Sequence, residues 1–252
     1  MNQFERHSRI RGAFAGKEFI SLQELCDLLG ASKATVRRDL IEFENSGLLE
    51  RVHGGAKILA PVKDESLDFK FLSASCPEEK ARIGQMAAGL VEDGQTVLLS
   101  GGSTALEVAR SLFDRPIQII TNSLPVAQVF LDCHHAEVTL TGGYLYPRLG
   151  IQIGPVCERM VKGISADIGF LGIRGITESG LSDNNAMVVE SLRAMMKSAQ
   201  RVVVVADRTK FGRNAMLHVA GLDEVNQFIS DSQLDPRYRS MLEERGIACL
   251  LA

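Results

Sequence analysis

A small unit of short helices and a β-hairpin, followed by a larger unit built on a mostly parallel α/β sheet, is the fold class this sequence predicts. Three observations carry that expectation. The first 60 residues hold two capped helical stripes and a Gly-Gly turn. From Pro77 onward, continuous aliphatic runs alternate with helical patterns, as they do in a sheet buried on both faces. The chain has 252 residues, 45% of them apolar, which at roughly 150 residues per domain means one large or two unequal domains.

In the first unit, residues 5–17 carry a short helical pattern. Leu22, Leu25, Cys26 and Leu29 then recur at the i, i+3, i+4, i+7 spacing of a buried helix face. Ser21 with Glu24 three residues on forms a capping box that starts this helix, and Gly30 ends it. Ser32 offers an N-cap to a second helix that runs to about residue 45 and stops at Ser46-Gly47. Leu49, Val52 and Ile58 flank His53-Gly54-Gly55, the signal for a hairpin with short strands on either side. Two helices, a tight turn and a hairpin make residues 1–58 a winged helix-turn-helix. Residues 59–75 mix Pro, Lys, Asp, Glu and Ser with isolated Phe69, Phe71 and Leu72, and read as a linker.

The second unit, 76–252, alternates regularly. A helical pattern over 77–93 precedes the run 96–100, and a helix over 104–112 precedes the run 117–121. A helix over 124–131 then leads into 136–143, and further runs at 166–172, 201–207, 225–230 and 247–251 accompany a helix near 187–199.

Composition removes several classes of function. The longest aliphatic run, 202–206, is far short of the ~20 apolar residues a membrane-spanning helix needs, and no apolar stretch follows the basic N-terminus, so a cytoplasmic location without membrane contact is expected. Five scattered cysteines without a Cys-x-x-Cys pair support neither a disulfide framework nor a metal site. Residues 1–60 carry 9 Lys and Arg against 8 Asp and Glu, so contact with a nucleic acid has to come from where the cations stand.

The second helix supplies such a placement. Val36, Leu40 and Phe43 share a narrow face for packing, while Ala34, Thr35 and Arg38 project on the other side. In a major groove, small residues permit close approach, Thr contacts a base or a phosphate, and Arg bonds guanine in bidentate fashion, which makes Arg38 the best base reader. Lys33 and Arg37 lie towards the flank, and the helix start at Ser32 suits a phosphate. Arg51 and His53 on the wing lie within reach of the backbone or minor groove. The competing reading pairs Arg37 and Arg38 with Asp39, Glu42 or Glu44 on a solvated surface.

The strongest feature of the second unit is Leu99-Ser100-Gly101-Gly102-Ser103-Thr104, a turn between an apolar run and a helix. Its glycines let the backbone approach an anion, the helix start supplies N–H donors, and Ser103 and Thr104 add hydroxyls. It matches neither the Walker A loop nor Gly-x-Gly-x-x-Gly, which argues against a nucleoside triphosphate or a dinucleotide, and no cofactor is implied. Ligands of open α/β sheets bind beyond the carboxyl ends of the strands. The loops Thr121-Asn122-Ser123, Gly142-Gly143 with Arg148, and Asp207-Arg208-Thr209-Lys210 are placed to converge there on a sugar phosphate. Lys210 or Arg148 would neutralise the phosphate, while Asp207, Asn122 and Glu190 would bond hydroxyls. Asn184 and Asn185 read as helix caps.

The segment SLQELCDLLGASKATVRRDLIEFENSGLLERVHGGA resembles the N-terminal region of the DeoR family of bacterial transcriptional regulators. Segments similar to that family's later motifs follow in its order: LLSGGSTALEVA, IITNSLPVA, LTGGYLYPRLGIQIGP, ADIGFLGIRGI and VVVVADRTKFG. The resemblance implies a winged helix-turn-helix joined to an effector domain similar to ribose-5-phosphate isomerase. It places effector contacts on Gly102, Ser103, Thr104, Asn122, Gly142, Gly143, Asp207 and Lys210. Where members of the family usually end the strand in an acidic residue, this chain has Ser100, which implies either a change in the sugar hydroxyl recognised or the loss of a bond to it.

The expected function is thus a DNA-binding regulator, a repressor of a carbohydrate operon released by a phosphorylated sugar and working as a dimer or tetramer. The competing expectation is a sugar-phosphate isomerase or deaminase with an appended DNA-binding unit, with Asp207 or Glu190 moving the proton beside Lys210. The missing strand-end acid weighs against catalysis.

Overall fold

The computed structural model divides into two compact units, residues 1–66 and 67–252. It describes residues 6–7, 9–10, 13–14, 17–45, 49–58 and 68–252. The stop at Ser46-Gly47 and the linker positions 59–67 lie outside the described residues.

The first unit contains β1 (Phe19–Ser21), α1 (Leu22–Leu29), α2 (Lys33–Asn45), β2 (Leu49–Val52) and β3 (Gly55–Ile58). Of the helix expected over 5–17, residues 6–7, 9–10 and 13 are helical. The capping box is present: Ser21 Oγ accepts from the Glu24 N–H at 3.2 Å, and Glu24 Oε2 accepts from the Ser21 N–H at 2.9 Å. Gly30 closes α1 at φ 57°, and Ser32 Oγ accepts from the Thr35 N–H at 3.3 Å to open α2. Leu25, Cys26 and Leu29 of α1 pack with Val36, Leu40 and Phe43 of α2, joined by Ile10, Phe14, Ile20, Leu49 and Ala56.

In the wing, Val52 pairs with Gly55, leaving His53-Gly54 as a two-residue loop. The two glycines do different work. Gly54 takes φ 86°, which costs glycine nothing. A Cβ at Gly55 would collide with the Ile20 carbonyl, because β1 adds to β3 as a third strand. That strand was not expected, since three residues are too few to show a period.

The second unit begins with α3 (Phe69–Ala74), a helix inside the stretch read as linker; the correction follows from Asp68, whose side chain accepts from the Lys70 N–H and caps it. The elements α4 (Pro77–Ala88), β4 (Thr96–Leu99), α5 (Ser103–Ser111), β5 (Gln118–Thr121), α6 (Leu124–Val129) and β6 (Glu137–Leu140) follow. The hairpin β7 (Tyr144–Tyr146) and β8 (Ile151–Ile153) leads into α7 (Pro155–Lys162) and β9 (Ala166–Leu171). Then come β10 (Gly175–Thr177), β11 (Gly180–Asp183), α8 (Ala186–Ser198), β12 (Ala199–Val205), β13 (Leu217–Ala220), β14 (Gln227–Ser230), α9 (Pro236–Glu243) and β15 (Ala248–Leu251).

Seven strands form one parallel sheet in the order β15-β14-β12-β9-β4-β5-β6. Alternate residues serve opposite layers, as the period of two requires. Val97, Leu99, Val203 and Val205 face one core with helices α4, α5 and α6; Leu98, Val202 and Val204 face the other with α7, α8 and α9. From β4 the chain builds outward through β5 and β6, then returns to β9 on the other side of β4. The order of winding therefore reverses between β4 and β9, and a crevice is expected beyond their carboxyl ends. No helix among the described residues is long and apolar enough to cross a membrane.

Candidate functional site

Of the residues expected to project from α2, Ala34 and Arg38 are exposed and Thr35 is half-buried; Ser32, Lys33 and Arg37 are exposed as well. The carboxylates proposed as their surface partners are otherwise engaged. Asp39, buried at 2% exposure, accepts from Arg6 Nε at 2.8 Å and Arg6 Nη2 at 3.0 Å, with His7 Nε2 at 3.1 Å. Burial pushes its carboxyl up, but the Arg6 and His7 bonds bring it below the ordinary value. Glu44 accepts from the Arg51 backbone N–H at 3.1 Å and from Arg51 Nε at 2.6 Å. Among the described residues, Lys33, Arg37 and Arg38 form no ion pair. Arg51 differs from them, since Glu44 holds its guanidinium, while His53 sits exposed in the wing loop.

In the second unit, the turn after β4 lies at the reversal point. Gly102 adopts φ 128° with open space where a Cβ would be, directly before α5. At Gly101 a Cβ would overlap Ile151 Cγ2 and lie 3.8 Å from Ser123 Cβ, so this glycine lets the turn approach the loop after β5 and the start of β8. Ser103 and Thr104 are buried at the helix start. The Ser100 hydroxyl is engaged by main-chain groups. Its Oγ accepts from the Gly172 N–H at 2.9 Å and donates to the Gly101 carbonyl at 3.2 Å, tying the end of β4 to the end of β9.

Gln152 joins two of the expected loops. Its carbonyl accepts from Asn122 Nδ2 at 2.9 Å, its N–H donates to the Asn122 carbonyl at 2.7 Å, and its Oε1 accepts from the Gly142 N–H at 2.8 Å. Asn122 Oδ1 is left buried without a hydrogen-bond partner. Gly143 serves packing, because a Cβ there would press on the Ile153 carbonyl and on Cys157. Arg148 is half-buried in the β7–β8 loop, and its carbonyl accepts from the Phe69 N–H at 2.8 Å.

Asp207, two residues beyond β12, is fully buried, and Thr209 donates both its N–H, at 3.0 Å, and its hydroxyl to Asp207 Oδ1. Asp207 Oδ2 accepts no hydrogen bond and lies 3.7 Å from Lys80 Nζ. Burial raises this carboxyl, yet Lys210, the Thr209 donors and Lys80 hold it below its ordinary value. Burial in turn lowers both ammonium groups against the pull of Asp207, and for Lys210 the nearby Lys80, Arg213 and Arg174 add repulsion. Lys80, Lys210, Arg174 and Arg213 thus gather positive charge around Asp207.

Lys80 was missed in the sequence, though a signal was there: it stands three, four and seven residues before Ile83, Gly84 and Ala87 on the buried stripe of α4. Other proposals change role. Glu190 is exposed and pairs with Arg193 at 2.7 Å. Asn185 caps α8 through the Met187 and Val188 N–H groups, whereas Asn184 accepts from the Met216 N–H instead of capping.

Both units match known families. Residues 6–62 match the DeoR-like helix-turn-helix domain, and residues 75–232 match the DeoR C terminal sensor domain. The HTH-type transcriptional regulator GlpR of Haloferax volcanii is 37% identical over 245 residues, covering 96% of this chain and 95% of its own. The HTH-type transcriptional regulator UlaR of Escherichia coli is 28% identical over 250 residues, covering 99% of each chain. A ribose 5-phosphate isomerase A from Methanocaldococcus jannaschii superposes on 54% of this chain and 55% of its own, with a TM-score of 0.40 and 18% identity. With both of its units matched and relatives aligned along almost its full length, the chain belongs to the DeoR family of helix-turn-helix transcriptional regulators.

Proposed function

We propose that this regulator is a cytoplasmic repressor of a carbohydrate uptake or catabolism operon, and that a phosphorylated sugar releases it from its operator. The observation that carries the reading is the turn Gly101-Gly102-Ser103-Thr104, open before a nine-residue helix at the point where the sheet reverses its winding. A phosphate there meets backbone N–H groups, the positive end of the helix dipole and two hydroxyls. Lys210 adds charge, and the unsatisfied Asn122 Oδ1 and Asp207 Oδ2 are acceptors that sugar hydroxyls would complete. The Gly142 N–H is already taken by Gln152, so that loop contributes shape.

At the other unit, Arg38 reads a base in the major groove while Ser32, Lys33, Thr35 and Arg37 hold phosphates, Ala34 permits close approach, and His53 with Arg51 reaches the flanking backbone. A symmetric dimer reading two half-sites is the simplest assembly for such a unit. The protein acts by binding and not by turnover. Affinity capture of fragmented genomic DNA on the purified full chain, sequenced and repeated with a panel of phosphorylated sugars, tests all of this. Discrete sites beside a sugar operon, lost with one compound, are the expected result. Uniform, salt-sensitive recovery untouched by every sugar contradicts it, and turnover of a sugar phosphate would restore the isomerase reading.

A further inference from the structure

Lys80 is at 1% exposure, and its ammonium does more than face Asp207. Its Nζ donates to the carbonyls of Leu72 and Ser75 at 2.5 Å each, the last turn and cap of α3. At the opposite end of that helix, the Phe69 N–H donates to the carbonyl of Arg148, two residues before Gly150, which accepts from the Leu124 N–H after the Asn122 loop. Both ends of α3 are therefore held by segments that also build the crevice.

Among the described side chains of α3, none is fully buried. The helix has six residues, too few to be stable alone, and Phe69, Leu72 and Ser73 are only half-buried while Lys70 and Ala74 are exposed. The joint between α3 and α4 passes through Cys76 at φ 50°, a left-handed conformation unfavourable for a residue with a Cβ, and Lys80 reaches back across it. Upstream, residues 59–67 are all that separate Asp68 from the end of β3 in the DNA-binding unit.

We propose that Lys80 is a positioning residue that relays occupancy of the crevice to the segment leading into the DNA-binding unit. The chain of contacts is short: Asp207 Oδ2, buried without a hydrogen bond, then Lys80 Nζ, then the carbonyls of Leu72 and Ser75. A ligand hydroxyl donating to Asp207 Oδ2 weakens the anchor that keeps the buried ammonium charged and in place under α3, and a ligand phosphate competes for that ammonium directly. Either change loosens the hold on α3. The relay rests on reading the crevice as the effector site, and supplies the differential interaction that such regulation requires.

Amide hydrogen exchange of the full chain, read over 69–75 and over 103–111, tests it without an operator. Asp207→Asn removes the charge but touches nothing in α3, so exchange over 69–75 should rise about tenfold while 103–111 stays within about twofold. Lys80→Met should give the same rise, and the double variant no more than either single change, because both break one chain of contacts. Ribose 5-phosphate serves as the probe: once it raises the melting temperature of the wild type, it should speed exchange over 69–75 there and leave Lys80→Met at its already raised level.

Wild-type protection over 69–75 in Asp207→Asn, additive rises in the double variant, or greater protection on binding of the probe each overturns the relay. A probe that fails to bind the wild type counts against the sugar-phosphate reading and leaves the two variants to judge the relay. If Asp207→Asn unfolds the unit, seen as lost protection across β4 and β9, then Lys80→Met decides, and unchanged exchange over 69–75 in that variant sinks the idea.

Discussion

The cations of α2 and the cations of the crevice are the same residue types under opposite physics. Lys33, Arg37 and Arg38 stand in solvent without a carboxylate partner among the described residues, and Asp39, buried beside them, is satisfied from Arg6 and His7. Lys80 is enclosed, gripped by two carbonyls and set against Asp207. Solvated cations suit a polyanion, because the gain comes from counterions released along the duplex and costs no desolvation in the free protein. A small ligand offers few contacts, so its site must hold charge in place beforehand and satisfy it while empty. The two regions should therefore fail differently when a charge is removed.

The largest expected effect is on stability at the crevice. Asp207→Ala leaves the Lys80 ammonium buried without its carboxylate, and should lower unfolding free energy by about 3–5 kcal/mol in urea titration. Arg38→Ala, on the solvated face, should change it by less than about 0.5 kcal/mol. Comparable losses in both would erase the distinction. The acid limb adds a sign. The folded Asp207 carboxyl lies below its unfolded value, so its contribution is complete above the unfolded pKa and disappears as pH falls through the lower folded one. Wild type and Asp207→Ala should consequently converge in stability as pH drops below about 4. A gap that widens on acidification would mean that the carboxyl is not held ionised by its neighbours.

The next effect concerns binding. Ser103→Glu sets a carboxylate where the phosphate would lie, and should weaken sugar-phosphate affinity at least about a hundredfold by like-charge repulsion in a water-poor site. Calorimetric titration with the compound found by DNA capture checks it. Undiminished affinity would move the phosphate away from the turn.

How far the sequence foretold all this follows the range of the interactions. The helices α1 and α2 were legible because their signals are local: the Ser21–Glu24 box, Gly30 and the Val36, Leu40, Phe43 stripe. The strands of the large sheet were legible because burial on both faces leaves unbroken aliphatic runs. The hairpin β7–β8 and the small sheet of β10, β11 and β13 were not, since strands of three or four residues show no period. Asp39 illustrates the wider limit: its partners lie 32 and 33 residues away, and no local pattern links them. Ser100 stands where an acid is usual in the family, and the main-chain groups that its hydroxyl joins at two strand ends have no signature in the sequence. Lys80 was visible as a buried position, but the carbonyls that hold it are main-chain groups, which any sequence supplies.

On the solvated face, two substitutions separate reading from attraction. Arg38→Ala should cost about 1–3 kcal/mol at the operator and relax one base preference, because a bidentate contact to a base edge has no substitute. Lys33→Ala should weaken all DNA alike and reduce the slope of log K against log salt by about one. Fluorescence anisotropy on operator and random duplexes at several salt concentrations distinguishes them. Equal losses on both duplexes for Arg38→Ala would return that residue to phosphate contact.

The smallest effect tests the residue that sits between the two regimes. Arg51 lies on the wing yet is held by Glu44, with Nε at 2.6 Å and the backbone N–H at 3.1 Å, and this bond keeps Glu44 below its ordinary pKa. The pair is solvent-exposed, so its own contribution to folding is slight. Its importance lies in what it withholds: a guanidinium already neutralised releases no counterion from DNA. Glu44→Gln keeps an acceptor for the backbone N–H but returns a full positive charge to the wing. The salt slope should steepen by up to about one, and affinity for random duplex should rise a few-fold at low salt, with the operator preference reduced accordingly. An unchanged slope would mean that Arg51 reaches DNA past Glu44 in the native protein, and that the wing belongs with Lys33 and Arg37 rather than with the paired charges of the crevice.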